Sequence, residues 1–291
     1  MTLFYTNSVR HLVEKMDLEK IGFIRGKYLL KKFSDGEMYV RLEQNVEGER
    51  VWVLGSTNPP AENLLELLFL LEALHREKAE INLLIPYFGY ARQDRVKTGE
   101  AFSGKIVCDL LRKFKPVSIS VLHMHSPRLQ RYLEYVDVIP FEIFNPIIDT
   151  AEIIVAPDKG AFAVARQIGK EHNLPVVLLE KERPAQEKVV MAKIHGSVKH
   201  KKVMIVDDMI STGRTVIEAA ILLREQGAKE ISVVATHGVF TQGAVRRIEN
   251  SPIKKVYVAN SLLQKHRSKK IKVIELSHFV ERLLKMTSTT M

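Results

Sequence analysis

Short, continuous apolar runs recur along the chain, and between them apolar residues return every three or four positions. The runs are VWVLG (51–55), INLLIP (81–86), SISVLH (118–123), EIIVAP (152–157), VVLLE (176–180), VMIVD (203–207) and ISVVA (231–235). Runs of this length without polar alternation suit parallel strands covered on both faces, and the helical segments between them make an α/β chain.

Two stretches share one plan. VWVLGSTNPPAENLLELLFLLEALHREKAEINLLIPYFG covers 51–89, and VMIVDDMISTGRTVIEAAILLREQGAKEISVVATHG covers 203–238. Each reads as strand, polar loop, amphipathic helix, charged turn, strand and glycine. The offset is 152 residues at Val51 and Val203 and 150 at Ile81 and Ile231, which points to a duplicated α/β domain. The join is expected near PFEIFNPI (140–147), giving domains at 1–145 and 146–285 and a polar tail at 286–291.

Composition narrows the function classes. The chain has 291 residues, 46% of them hydrophobic, enough for two cores. The apolar stretch LLELLFLLEAL has 11 residues and carries Glu66 and Glu72, too short and too charged to cross a membrane. The first 16 residues lack the apolar core of a signal peptide, and with Cys108 the single cysteine a reducing, cytoplasmic compartment is expected. Net charge is +10, and +9 of it lies from Pro146 onward. A basic half suits phosphorylated small molecules or nucleic acid. No compact basic run with interleaved aromatics occurs, so no nucleic-acid partner is expected.

The strongest chemistry lies in VMIVDDMISTGRT (203–215). Ligands of parallel α/β sheets bind beyond the carboxyl ends of the strands. A loop that enters a helix there presents free N–H groups and the positive end of the helix dipole to an anion. Gly213 permits close approach of backbone, and Ser211, Thr212 and Thr215 offer hydroxyls. Asp207 and Asp208 would repel a phosphate but accept hydrogen bonds from sugar hydroxyls. Carboxylates at one end and an anion nest at the other fit a sugar phosphate. The duplicate loop, Gly55-Ser-Thr-Asn-Pro-Pro, lacks the acids.

Other segments are less specific by themselves. FSDGE (33–37) is a hairpin turn signal between strand-like stretches. YFGYARQDR (87–95) places glycine, aromatics and arginines at a strand end. In LHMHS (122–126), strand alternation would set His123 and His125 on one face. APDKGAFAVAR (156–166) reads as strand end, acid, glycine and helix, and LLEKERP (178–184) as a strand leaving into a charged loop.

VMIVDDMISTGRT resembles the ribose-phosphate loop of type I phosphoribosyltransferases and of ribose-phosphate diphosphokinases. The FSDGE, RQDR and PDKG segments and the doubled domain resemble the diphosphokinases, and that resemblance covers nearly the whole chain. It implies two tandem type I phosphoribosyltransferase-like domains, each with a central, mainly parallel sheet flanked by helices. It implies diphosphoryl transfer from ATP to the 1-hydroxyl of ribose 5-phosphate, with Mg2+. By the same resemblance, ribose 5-phosphate is held by Asp207, Asp208, Ser211, Thr212, Gly213, Arg214 and Thr215. ATP is met by Arg92, Gln93, Arg95 and His123, and by Phe33, Asp35, Gly36 and Glu37 of a hairpin reaching in from a neighbouring subunit, so a homo-oligomer of at least two chains is implied. His123 and Asp158 are implied metal ligands, and Lys181 and Arg183 close over the reaction, Arg183 also facing the sugar phosphate. The chain departs from the family at Val121, where the family often has aspartate two residues before its histidine. No G-x-x-x-x-G-K-[ST] loop occurs, so ATP would use another scaffold.

Two other function classes share parts of the signal. A phosphoribosyltransferase would share the 203–215 loop, but FSDGE, RQDR and the doubled domain argue against it. A non-catalytic regulatory homologue fits Val121, but Asp158, Lys181, Arg183, Asp207 and Asp208 argue against it.

Overall fold

A computed structural model describes residues 1–182, 191–194 and 196–289. They form two compact units. One holds Met1–Pro140 with Ser261–Leu263 and the chain from Leu276 onward, and the other holds Phe141–Asn260 with Gln264–Glu275.

The first unit contains β1 (Thr2–Tyr5), the single turn α1 (Arg10–Val13), β2 (Ile24–Arg25), β3 (Tyr28–Lys32), β4 (Met38–Leu42), β5 (Arg50–Leu54), α2 (Ala61–Arg76), β6 (Glu80–Ile85), α3 (Ser103–Arg112), β7 (Ser118–Leu122) and β8 (Val136–Val138). Its sheet runs β2–β1–β5–β6–β7–β8, with every neighbouring pair parallel. β3 and β4 form a separate antiparallel hairpin. Val53, Leu83, Ile85 and Val121 of the sheet pack in one cluster with Leu67, Leu71 and Leu74 of α2 and Leu111 of α3. Each such fully buried side chain contributes about 1.5–3 kcal/mol, so this face holds the strands in order.

The second unit contains α4 (Asn145–Ile148), β9 (Ile153–Ala156), α5 (Phe162–Glu171), β10 (Val176–Glu182), β11 (Met191–Ile194), β12 (Lys202–Ile210), α6 (Arg214–Glu225), β13 (Glu230–Gly238), α7 (Ala244–Glu249), β14 (Lys255–Ala259) and β15 (Ile271–Ile274). Its sheet runs β11–β10–β9–β12–β13–β14–β15, parallel except for the β10–β11 pair. Val203, Ile205, Ile231 and Val233 pack with Val216, Ala220 and Leu223 of α6.

With β3, β4 and β11 set aside, both sheets read second, first, third, fourth, fifth and sixth strand in chain order. The register Val51↔Ile81 in one is matched by Val203↔Ile231 in the other. The internal repeat seen in the sequence is thus a repeat of topology. In each sheet the order reverses beside the first strand, between β1 and β5 and between β9 and β12. Such a reversal opens a crevice at the carboxyl ends of the strands.

The unit boundaries differ from the sequence-based ones at the end of the chain. Helix α8 (Ser277–Thr289) groups with the first unit, where Ser277 Oγ donates to Leu12 O at 2.9 Å and Glu281 Oε1 accepts from Asp17 N at 2.7 Å. Helical periodicity shows that a terminal segment has an apolar face, not which core receives it. α8 also runs through Thr289, into the stretch that polarity marks as a tail.

Candidate active site

In the second unit the β9/β12 crevice is acidic. β12 continues past Val206, with Asp207 paired to Ala235 and Met209 to His237, so the two acids lie within the strand rather than after it. The reason is apolar: Met209 and Ile210 are buried and keep the strand in the sheet. Asp208 N donates to Asp207 Oδ1 at 3.0 Å. Burial, then the charges of Asp208 and Asp158, raise the Asp207 pKa well above the usual carboxylate range. Asp158, after β9, therefore faces the same crevice electrostatically. Its Oδ1 accepts from Gly160 N at 2.8 Å and Ala161 N at 3.1 Å, while Oδ2 has no hydrogen-bond partner among the described residues.

The loop beyond β12 enters α6 through Gly213, whose φ of +76° is open to glycine at no steric cost. Thr212 Oγ1 accepts from Arg214 N at 3.3 Å. Arg214 itself turns along the helix to Glu218. Among the described residues the N–H groups of Thr212, Gly213 and Thr215 have no acceptor. They are the unsatisfied donors of a helix start and form a ready anion nest. Sequence reasoning did not single out Arg247. It lies on α7 and donates to Thr212 O from Nε at 3.1 Å and from Nη2 at 2.9 Å.

The duplicate loop of the first unit is filled by its own chain. Ser56 and Thr57 are fully buried. Ser56 Oγ accepts from Tyr87 N at 3.1 Å and Thr57 Oγ1 accepts from Gly89 N at 2.7 Å. A Cβ at Gly89 would stand 2.4 Å from Thr57 O, so the two segments pack backbone to backbone. Both side chains are buried in this packing, where an anion site would need their hydroxyls exposed.

The first unit brings RQDR and LHMHS together. They follow the adjacent strands β6 and β7. Asp94 Oδ2 accepts from Ser126 Oγ at 2.7 Å and lies 4.0 Å from Arg128 Nε. Arg92, Gln93 and Arg95 are exposed on this loop. His123 and His125 do not share a face. β7 ends at Leu122, and His123 takes a left-handed φ of +45°, which breaks the alternation. His123 is buried and His125 exposed. Val121 lies in the apolar core.

FSDGE forms the tip of the β3–β4 hairpin. Phe33 N donates to Glu37 O at 2.8 Å, Glu37 N to Asp35 Oδ1 at 3.0 Å, and Gly36 has a φ of +96°. Phe33 is 45% exposed, an aromatic ring held outward between Lys31 and Tyr39. Lys181 lies on β10 opposite Ala192 of β11, and Arg183 lies outside the described residues.

Among the described residues no group of three His, Cys, Asp or Glu side chains is arranged to hold a metal by itself. Magnesium needs no such cage, since it keeps water and takes one or two carboxylates with substrate phosphates. The open oxygen of Asp158, beside two further acids, is a donor set of that hard, anionic kind.

Two family models match the chain: the N-terminal domain of ribose phosphate pyrophosphokinase over residues 1–114, and the phosphoribosyl synthetase-associated domain over residues 151–288. Ribose-phosphate pyrophosphokinase 1 of Listeria innocua is 34% identical over 276 residues, covering 90% of this chain and 85% of that protein. Ribose-phosphate pyrophosphokinase of Thermosipho africanus is 34% identical over 288 residues, covering 95% and 91%. The crystal structure of phosphoribosylpyrophosphate synthetase from Mycobacterium smegmatis matches with a TM-score of 0.88 at 26% identity, over 100% of this chain and 99% of that one. The tandem phosphoribosyltransferase-like architecture that the sequence resemblance implies is therefore present. With one third of its residues shared along nearly its whole length, the chain belongs to the ribose-phosphate pyrophosphokinase family.

Proposed function

We propose that this chain transfers the diphosphoryl group of ATP to the 1-hydroxyl of ribose 5-phosphate, giving 5-phosphoribosyl 1-diphosphate and AMP. The observation that carries this reading is the 207–215 segment: two adjacent carboxylates for sugar hydroxyls, then three N–H groups that have no acceptor among the described residues, for the 5-phosphate. Family membership supports the same reaction.

In the reaction the ribose O1 attacks the β-phosphorus in line and gives up its hydroxyl proton to solvent, the bond from that phosphorus to the α-phosphate oxygen breaks, and AMP leaves. Such a step is catalysed chiefly by positioning and by charge stabilisation. Asp207 and Asp208 hold the sugar, and Ser211, Thr212, Gly213, Arg214 and Thr215 hold its phosphate. Arg92, Gln93, Arg95 and His123 meet ATP. Phe33, Asp35, Gly36 and Glu37 complete a neighbour's ATP site, so the working form is a homo-oligomer. Lys181 and Arg183 close on the developing charge. His123 and Asp158 would hold Mg2+, which when bound neutralises triphosphate charge and polarises the phosphorus. A cytoplasmic setting agrees with the free, buried Cys108.

The test is phosphorus NMR of the protein with ATP, magnesium and ribose 5-phosphate. AMP with a new diphosphate ester on the sugar is the expected product pair. ADP with a ribose bisphosphate would make it an ordinary kinase, and binding without turnover would leave a regulatory homologue.

A further inference from the structure

Three consecutive carbonyls, from the last residue of β12 into the anion loop, are held from one side. Ile210 O accepts from Val239 N and Phe240 N, both at 3.0 Å. Ser211 O accepts from Thr241 N at 3.1 Å and from Thr241 Oγ1 at 3.4 Å. Thr212 O accepts the paired donors of Arg247 at 3.1 and 2.9 Å. In a planar trans peptide the N–H points opposite to the C=O. Holding the Ser211 and Thr212 carbonyls against 239–247 therefore turns the Thr212 and Gly213 N–H groups away from that segment. Both N–H groups have no acceptor among the described residues.

The supporting segment is shaped for this. Gly243 has a φ of +80°, and a Cβ there would stand 2.9 Å from Arg247 Nη1. A Cβ on Gly238 would stand 2.5 Å from the Phe240 ring. Two missing side chains thus give Phe240 and Arg247 their places. Arg247 has no carboxylate partner among the described residues and gives its donors to the carbonyls of Thr212 and Gln242 instead. A planar fork holds one oxygen in a fixed direction, which an ammonium does not.

We infer that Arg247 is a positioning residue for the 5-phosphate of the sugar, setting the Thr212–Gly213 peptide so that its N–H faces the anion. The inference rests on the reading of residues 211–215 as the phosphate loop.

The experiment is steady-state kinetics of the full chain with ribose 5-phosphate and ATP varied separately, on Arg247→Ala, Arg247→Lys and Thr215→Val, with thermal melts of each. Arg247→Ala is expected to raise KM for ribose 5-phosphate by about tenfold or more while KM for ATP stays within about twofold. Arg247→Lys keeps the charge but not the paired bonds, and is expected to recover only part of that loss. If Thr215→Val raises KM for ribose 5-phosphate and Arg247→Ala does not, the inference fails and the loop reading stands. If neither variant moves it, the loop reading fails and takes the inference with it. Full recovery by lysine would reduce Arg247 to a bare charge, and equal rises in both KM values with a lowered melt would make it a general structural residue. Either result overturns the positioning role.

Discussion

Tyr28 donates its hydroxyl hydrogen to Glu66 Oε1 across 2.7 Å, tying the first residue of β3 to the buried side of α2. Glu66 is 2% exposed and also accepts from Asn7 N at 3.1 Å and Asn7 Nδ2 at 3.0 Å. The hairpin that carries Phe33, Asp35 and Glu37 is thus anchored through a carboxylate held by neutral donors. Tyr28→Phe removes one donor from a buried carboxylate and is expected to cost about 2 kcal/mol. The urea midpoint should fall with an unchanged slope. KM for ATP should rise more than KM for ribose 5-phosphate; equal effects would detach the hairpin from the ATP site.

The same contact has a pH signature. Burial first, then the Glu66 charge, raise the Tyr28 phenol above its ordinary value of 10.0. Below that value both folded and unfolded phenols are protonated, and the full stability is present. As pH rises above it, the unfolded chain releases its proton first and stability falls. Tyr28→Phe should lose part of this alkaline decline, read as a shallower change of urea midpoint between about pH 9.5 and 11.

Val121 stands where the sequence resemblance leads one to expect aspartate, and installing the acid is expected to harm this chain. Val121 is fully buried. Its cross-strand partner is Asp137, whose Oδ1 accepts from Met124 N at 2.8 Å. Val121→Asp would set two acids directly opposite each other and leave one in an apolar core, a cost of about 3–5 kcal/mol. The melt should drop sharply with no gain in turnover. An active variant of normal stability would mean that the core beside β7 admits water.

Much of this molecule is legible in its sequence because parallel strands are continuous apolar runs. Each of the seven runs became a strand, and the glycine and hydroxyls after Asp207 and Asp208 marked a helix start. What was hidden depends on contacts distant along the chain. The burial of Met209 and Ile210 extends β12, and periodicity cannot foresee where a strand stops pairing. The left-handed turn at His123 separates it from His125, and nothing in LHMHS announces a positive φ. Arg247 reads as one surface base among many; its bonds run to a backbone carbonyl 35 residues away, and carbonyls carry no residue code.

Cys108 is expected to be chemically silent while the chain is folded. It is fully buried on α3, and burial, with a smaller contribution from Asp109, pushes its thiol up to about 12. At pH 8 the thiolate fraction is then about 10⁻⁴, against roughly a quarter for a free thiol. Labelling by a thiol reagent should be slow in native buffer and fast in denaturing urea. Fast native labelling would reveal local opening of α3 well below the global unfolding energy.

Asp207 makes the sharpest trade between stability and function. Its carboxylate is desolvated beside the charges of Asp208 and Asp158, an arrangement that the unliganded protein maintains at a cost. Asn at this position keeps the shape and can still accept from Asp208 N through Oδ1, but it carries no charge. Asp207→Asn is therefore expected to melt a few degrees higher than the parent, since about 1 kcal/mol of relieved repulsion shifts a domain of this size by roughly 3–5 °C. Ribose 5-phosphate at about 100 times its Kd should stabilise the parent by about 2.7 kcal/mol, and the variant by much less. Turnover should fall by about a hundredfold or more, because a sugar hydroxyl loses a charged acceptor. A variant that melts lower than the parent would show that the hydrogen bonds around Asp207 outweigh the repulsion. The three acids would then be a structural device of the fold rather than a site held ready for sugar hydroxyls.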